Sequence, residues 1–344
     1  MSAYASQLPA GFINQVQTVA IVGVTGTIGK YIASYLVKNG KHKVTAISRF
    51  DGTDKTPDGV EVVKVDYNDE KSIIQGLTGQ EFLVITMSTT APRDTQSKII
   101  KAAAKAGVKW IMPNEYSPPF VEKEAMGKDL GFYDRLIKTR KQIEGLGMKW
   151  TSLICSFWYE FSLSGSHTRY GFDFEKKEVT FFDDGETKIN TSTYEQCGRA
   201  VANFLALKML PDDEKDKSVS MSQWANKGLC VSSFLLSQKD MLASILRVTG
   251  DKEDDWKIKS ESAQKRFQEA MRGIHAGNPI TYVIAMYTRV FFKEDSGNYE
   301  KEGWLANDAL GLPKEDLDEA TKYAVKLAES GEAAYHLPRH SRNE

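Results

Sequence analysis

Gly23, Gly26 and Gly29 stand three residues apart, directly after the apolar run 18–22 and at the start of a helical pattern over 28–39. Chemistry at such a junction belongs to the backbone. Glycine permits a tight turn, lets the main chain approach a pyrophosphate and lets helix and strand pack closely. The first N–H groups of the helix, aided by its dipole, then face the phosphates. Gly23-Val24-Thr25-Gly26-Thr27-Ile28-Gly29 therefore reads as a dinucleotide-binding turn, with Thr25, Thr27 and Ile28 contributing beside the glycines. An ordinary βα turn is the alternative reading.

The end of the second strand separates the two dinucleotides. An acid there bonds the ribose 2′-OH of NAD, whereas an arginine accommodates the 2′-phosphate of NADP. Here the strand ends Ser48-Arg49-Phe50-Asp51, so Arg49 occupies that place and its fork of donors suits a phosphate dianion. Asp51 argues for NAD but falls two residues later, in a turn with Gly52. The expected cofactor is NADP(H). After the third strand, Asp66 either meets the adenine amino group or caps the helix near Asn68-Asp69. Thr86-Met87-Ser88-Thr89 ends the fourth strand, where Ser88 and Thr89 either line a ribose or form a plain loop.

These residues need a parallel sheet to hold them. Strand signals fall at 18–23, 43–49, 60–66, 82–88, 109–113 and 149–157, with amphipathic stretches at 31–38, 71–77, 95–106 and 132–146 between them. Ile28, Ile32 and Leu36 make one sheet-facing stripe, and Gly40 is a helix stop. Repeated βα units imply right-handed crossovers, with the nucleotide at the carboxyl ends of the strands. The expected fold class is α/β: a Rossmann-type doubly wound parallel sheet with a smaller mixed α+β C-terminal substrate domain. From about Ser164 the pattern changes. Strands 178–182 and 187–193 around Asp183-Asp184-Gly185 read as a hairpin, and helices follow at 194–207, 238–249, 263–271, 281–292 and 314–330. The expected division is an arm over 1–16, a dinucleotide-binding domain over 17–163 whose sheet can gain later strands, a substrate or lid domain over 164–332 and a tail over 333–344. The charged stretch 211–217 reads as a solvated loop.

The 344 residues carry 45 basic and 46 acidic side chains, so no global field points to nucleic acid. Cys155, Cys197 and Cys230 are widely spaced, as reduced thiols of an intracellular protein would be, and the five histidines show no zinc spacing. Residues 1–17 lack a secretory pattern and no stretch is long enough to span a bilayer. A cytoplasmic monomer or homodimer acting on a small molecule, with no membrane partner, is the expectation.

Further along, Met112-Pro113-Asn114-Glu115-Tyr116, Ala103 to Lys109, Trp150-Thr151 with Phe157-Trp158-Tyr159, and Gly198-Arg199-Ala200-Val201-Ala202 join the glycine turn and Ser48-Arg49 in an ordered set. Together they resemble the NmrA-like and isoflavone-reductase-like branch of the atypical short-chain dehydrogenases, over about residues 17–330. The resemblance implies a Rossmann domain binding NADP(H), with Asn114, Tyr116, Phe157, Trp158 and Tyr159 beside the nicotinamide and substrate. Packing between two domains is the other role open to the aromatic cluster.

The proton donor is a separate question. The only Tyr-x-x-x-Lys, Tyr67 to Lys71, follows the third strand on the adenine side and reads as coincidence. The resemblance implies a lysine near the start of the helix before the sixth strand, but alignment on Ile143, Glu144, Gly147 and Trp150-Thr151 puts Leu136 there. Lys138 lies two residues on, about 200° around the helix, so it serves only if the helix start is shifted. Tyr133 lies on a face similar to that of Leu136. Tyr133 and Lys138 are the catalytic candidates, with Ser156 or water as other proton sources. The leading expectation is an NADPH-dependent reductase passing hydride to an apolar or aromatic carbonyl, enone or imine. A non-catalytic NADP(H)-sensing regulator and a non-redox cyclase or isomerase are the alternatives.

Overall fold

Thr18–Val22 is buried at four successive positions, as a strand covered on both faces must be. In the computed structural model, which describes residues 4–52, 56–88 and 90–332, this run is β1. It leads into α1 (Thr27–Asn39), β2 (Lys43–Arg49), β3 (Glu61–Val65), α2 (Glu70–Leu77), β4 (Phe82–Ile85), α3 (Thr95–Ala106) and β5 (Trp110–Met112). β6 (Tyr116–Ser117), α4 (Glu124–Asp129), α5 (Tyr133–Gly145) and β7 (Lys149–Ile154) follow. Next come β8 (Phe157–Trp158), α6 (Tyr159–Leu163), β9 (Phe172–Asp173), β10 (Glu178–Phe182) and β11 (Ile189–Ser192), then α7 (Tyr194–Leu205) and β12 (Lys227–Cys230). The last elements are β13 (Phe234–Leu236), α8 (Gln238–Thr249), β14 (Lys257–Glu261), α9 (Ala263–His275), α10 (Pro279–Arg289) and α11 (Leu317–Ser330).

The chain divides into two compact units, and both are discontinuous in sequence. The first takes the described residues up to Cys155, with 194–232 and 303–313. The second takes 156–193, 233–302 and the described residues from 314. A single cut between 163 and 164 does not match this division. β12 pairs with β7 in parallel, which draws 194–232 back into the first unit.

In the first unit the strand order is β12-β7-β5-β4-β1-β2-β3, with β6 also on β7, and every pairing is parallel. The order reverses between β1 and β4, the switch point at which a doubly wound sheet opens a crevice. Ile73 and Leu77 of α2, Ile99, Ile100 and Ala103 of α3 and Ile143 of α5 pack with Ala20, Val22, Leu83, Ile85 and Ile111 of the sheet. Ile28, Ile32 and Leu36 of α1 are buried as their spacing predicts, and Gly40 closes α1 in the left-handed conformation at φ 69°. The expected surface arm is tied down rather than free. Asn14 Nδ2 donates to the Leu210 carbonyl (2.8 Å), Leu210 N donates to Asn14 Oδ1 (2.9 Å) and Ala5 N donates to the Pro211 carbonyl (2.9 Å). Loop 211–217 is thus an anchor for the arm as well as a solvated loop, and the proposed tail 333–344 lies outside the described residues.

Two local expectations are corrected. The run 149–157 is not one strand: Ser156 takes a left-handed φ of 56°, which turns the chain from β7 into β8 of another sheet. β10 and β11 do not form a hairpin. β10 lies between β14 and β9, whereas β11 lies between β13 and β8. Asp183 and Gly185 do turn the chain with positive φ, but Asp183 N donates to the Glu261 carbonyl (2.8 Å) and its carboxylate accepts from Ala263 N (3.1 Å) at the start of α9. Those bonds hold the turn to β14 and α9 instead of to β11. The second unit is filled by rings, with Phe157 stacked on Tyr287 at 4.0 Å and Tyr170 edge-on to Phe291 at 6.0 Å.

Gly198 explains one quoted motif. α7 packs on α1, with Tyr31 and Tyr194 stacked at 5.3 Å and Tyr35 donating its hydroxyl to Glu195. A Cβ on Gly198 would sit 2.9 Å from the Tyr31 carbonyl oxygen and 2.7 Å from the Tyr35 ring. Gly198→Val is therefore expected to destabilise the protein by about 2–3 kcal/mol through overpacking, read as a lower midpoint in urea unfolding. A wild-type midpoint would show that α1 and α7 can part without cost.

Candidate functional site

The glycine turn sits at the switch point of the first unit. Gly23 has φ 82°, and a Cβ there would collide with the Thr86 carbonyl at the end of β4. A Cβ on Gly29 would collide with the Gly23 carbonyl and the Thr86 hydroxyl. Thr86 Oγ1 donates to the Val22 carbonyl (2.8 Å), and Gly26 N donates to the Gly23 carbonyl (2.9 Å). The inside of the turn is thus full, and Thr86 belongs to its packing. Gly26 caps α1 without a side-chain bond, while Thr25 and Thr27 are exposed. Ile28 is 5% exposed, so only its backbone is available to a ligand. A turn with open first-turn amides at a helix N-terminus suits a pyrophosphate.

Arg49 ends β2 with its side chain 67% exposed and its Nε 3.6 Å from Asp51 Oδ1, a long surface contact of little worth. Gly52 N donates to the Arg49 carbonyl (3.0 Å) and Lys64 Nζ donates to the Gly52 carbonyl (2.8 Å), so Asp51 lies on a closed turn beyond the strand. Tyr67 donates its hydroxyl to the Ile47 carbonyl (2.9 Å); burial pushes this phenol up to about 12, against the pull of the Arg49 charge. An exposed, weakly engaged guanidinium at this strand end can take a phosphate dianion.

The remaining cofactor candidates differ in how far they are already engaged. Asp69, not Asp66, caps α2, its Oδ1 accepting from Lys71 N (3.0 Å). Asp66 is exposed and accepts from Asn68 N (2.8 Å) in a local turn. Ser88 shares a hydroxyl bond with Thr90 (2.8 Å), which favours the loop reading; Thr89 lies outside the described residues. Asn114 N donates to Gln96 Oε1 (2.7 Å) and Asn114 Nδ2 to the Met87 carbonyl (3.1 Å), which brings Asn114 to the ends of β4 and β5. Tyr116 keeps some exposure, but its hydroxyl is buried and has no hydrogen-bond partner among the described residues. It lies near Cys155 and Cys197, and burial pushes its pKa well above the ordinary phenol value.

Sequence reasoning missed the buried charge between these residues. Glu115 is 4% exposed and Arg140, from α5, is 5% exposed. Arg140 Nε donates to Glu115 Oε2 (3.2 Å) and Nη2 to the other Glu115 oxygen. Its Nη1 donates to Glu122 Oε1 (3.0 Å) and Nη2 also to Ser152 Oγ (3.1 Å), with the guanidinium 4.4 Å from the centre of the Trp150 ring. A signal was present. Leu136, Arg140 and Ile143 share the buried face of α5, so a charge stands in an apolar stripe and requires a buried partner.

The two catalytic candidates fare differently. α5 starts at Tyr133, and Leu136 N donates to the Phe132 carbonyl (3.0 Å). Leu136 is 8% exposed; Lys138 is exposed, off the face that buries Leu136, Arg140 and Ile143. Lys138 thus lies on a different face of α5 from Leu136. Tyr133 is half-buried, with Lys128 Nζ 5.5 Å from the centre of its ring. In the second unit, Phe157 is stacked on Tyr287, and Tyr159 is wholly buried with its hydroxyl bonded to Thr321 Oγ1 (2.7 Å). Both side chains are buried in these contacts; Trp158 is half-buried. Among the described residues no group of His, Cys, Asp and Glu could hold a metal ion, and no helix is long and apolar enough to cross a membrane.

The pattern of the NmrA-like family matches residues 15–324. The chain belongs to the NmrA-like family. Oxidoreductase aprR of Aspergillus flavus is 24% identical over 312 residues, covering 90% of this chain and 98% of that protein. A crystal structure of isoflavone reductase superposes with a TM-score of 0.69 at 20% identity, covering 89% of this chain and 99% of the other. The NADPH complex of the quinone oxidoreductase QOR2 from Escherichia coli superposes at 0.60 with 19% identity, covering 89% and 99%. At these identities the superpositions show a common fold, a mostly parallel sheet flanked by helices.

In this member of the NmrA-like family, one buried carboxylate lies within reach of a neutral-pH titration. Burial pushes the Glu115 carboxyl up from 4.5 to about 7, with Glu122 adding to the rise and Arg140 and Ser152 opposing it. A raised folded-state value means that the stabilising contribution is complete below 4.5 and is lost as pH rises through about 7. Calorimetric unfolding from about pH 5 to about pH 8 should therefore show a falling Tm that Glu115→Gln flattens. An identical pH slope in the variant would assign the titration to another group.

Proposed function

We propose that the chain is an NADPH-dependent reductase that transfers hydride to a small apolar or aromatic carbonyl, enone or imine. The observation that carries this reading is the packed glycine turn at the β1/β4 switch point, together with Arg49 exposed at the end of β2. The names of the related oxidoreductase and of the isoflavone and quinone reductase structures support it. In this reading the backbone from Gly23 to Gly29 cradles the pyrophosphate, Arg49 holds the 2′-phosphate, and Asn114 and Tyr116 flank the nicotinamide end. The nicotinamide, when bound, supplies the hydride. Leu136 offers no proton, so the proton comes from Tyr133 or from water.

The apolar Leu136 also favours a second reading, an NADP(H)-sensing regulator, because sensing needs cofactor binding but no acid. Titration calorimetry should show tighter binding of NADPH than NADH, and Arg49→Ala should erase roughly tenfold or more of that preference. An undiminished preference in the variant would remove Arg49 from the mechanism. Incubation with C4-deuterated NADPH and a panel of carbonyls, enones and imines separates the two readings. Deuterium in a product establishes the reductase; intact cofactor affinity without transfer across the panel favours the sensor.

A further inference from the structure

The backbone between β5 and β6 leaves the sheet ladder. β5 pairs with β7 at Trp110 and Ile111, and pairing with β7 resumes at Tyr116. Over 113–115 side chains hold the main chain in place of strand bonds. Gln96 of α3 accepts from Asn114 N, Asn114 donates to the Met87 carbonyl beyond β4, and Glu115 is gripped by Arg140 of α5. The third anchor is the charged one, and the two flanking anchors belong to the residue beside it.

We infer that Arg140 is a positioning residue that fixes Asn114 and Tyr116 toward the nicotinamide through its two-pronged grip on Glu115, an inference that rests on the cofactor reading above. A buried ion pair is a poor device for stability alone, since apolar residues of equal volume often do as well or better. What the planar guanidinium adds is direction. Its arms reach Glu115, Glu122 and Ser152 while its face lies on Trp150, which locks α5, β7 and the 113–117 segment into one arrangement. Lysine, a point charge on a flexible stem, keeps the charge and loses that direction. The second Glu122 oxygen is buried with no hydrogen-bond partner among the described residues, so the cluster holds two carboxylates around a single cation.

The test compares ligands with and without a nicotinamide. Purified wild type, Arg140→Lys, Glu115→Gln and the triple variant Glu115→Gln/Glu122→Gln/Arg140→Met are titrated with adenosine 2′,5′-bisphosphate by calorimetry and with NADPH by its nicotinamide fluorescence. Unfolding midpoints are recorded in parallel. The expected result is unchanged binding of the bisphosphate, with NADPH affinity down roughly tenfold and its bound-state emission shifted toward that of free NADPH. The triple variant, which leaves no unpaired charge in the cluster, should recover the midpoint lost by a single variant but not the emission. If bisphosphate and NADPH binding fall together, or if the emission stays wild type, Arg140 is only structural and the inference fails. Wild-type protein that binds neither ligand overturns the cofactor reading itself, and this inference with it.

Discussion

The carbonyl of Thr86 comes so close to Gly23 that no other side chain fits between β1 and β4 at their carboxyl ends. This contact sets the separation of the two central strands where the order of the sheet reverses. It also sets the depth at which α1 starts, because Gly29 must pass against the Gly23 carbonyl and the Thr86 hydroxyl. The sheet on either side inherits that spacing through parallel registers, Val22 opposite Ile47 on one side and Ile85 on the other. The same constraint places the head of α1 at the carboxyl ends of the strands, where first-turn amides suit an anion.

The second organising feature is the charge buried under the 113–117 segment. Where the ladder between β5 and β6 lapses, backbone bonds are replaced by side chains from α3 and α5. A buried carboxylate needs a partner, and the partner must come from the sheet-facing side of α5. Arg140 on that side and Leu136 one turn earlier are both consequences of which residues of α5 are turned inward. The geometry thus gives this helix a buried cation and an apolar side chain one turn before it.

The second unit follows a different rule. Its small sheets are short, and its interior is built from stacked and edge-on rings around Tyr170, Tyr287, Phe157 and Phe291. Gln238, wholly buried, accepts from Phe182 N (2.7 Å) and donates to the Tyr170 and Thr180 carbonyls (2.9 Å each), knitting the strands to the start of α8. Phe157 and Tyr159 of the aromatic run take part in this packing, and aromatic composition by itself carries little information about substrate.

Local pattern was enough for the alternating strands and helices from β1 to β5. β2, α3 and α8 lie within the bounds that hydrophobic period and glycine stops imply, and the role of Gly23 and Gly29 follows from a strand meeting a helix. The face carried by Leu136 as against Lys138 was legible too, because a regular helix has a fixed turn per residue. What lay beyond the sequence was every choice between partners far apart in the chain. β10 and β11 look like a hairpin until β14 competes for the same backbone groups. Arg140 falls on the apolar stripe of α5, but nothing local names Glu115 as its partner. Period and turn chemistry act within a few residues, so the sequence determines them directly. Strand partners, domain membership and the pairing of buried charges depend on which distant groups compete for the same hydrogen bonds, and only the tertiary structure decides that.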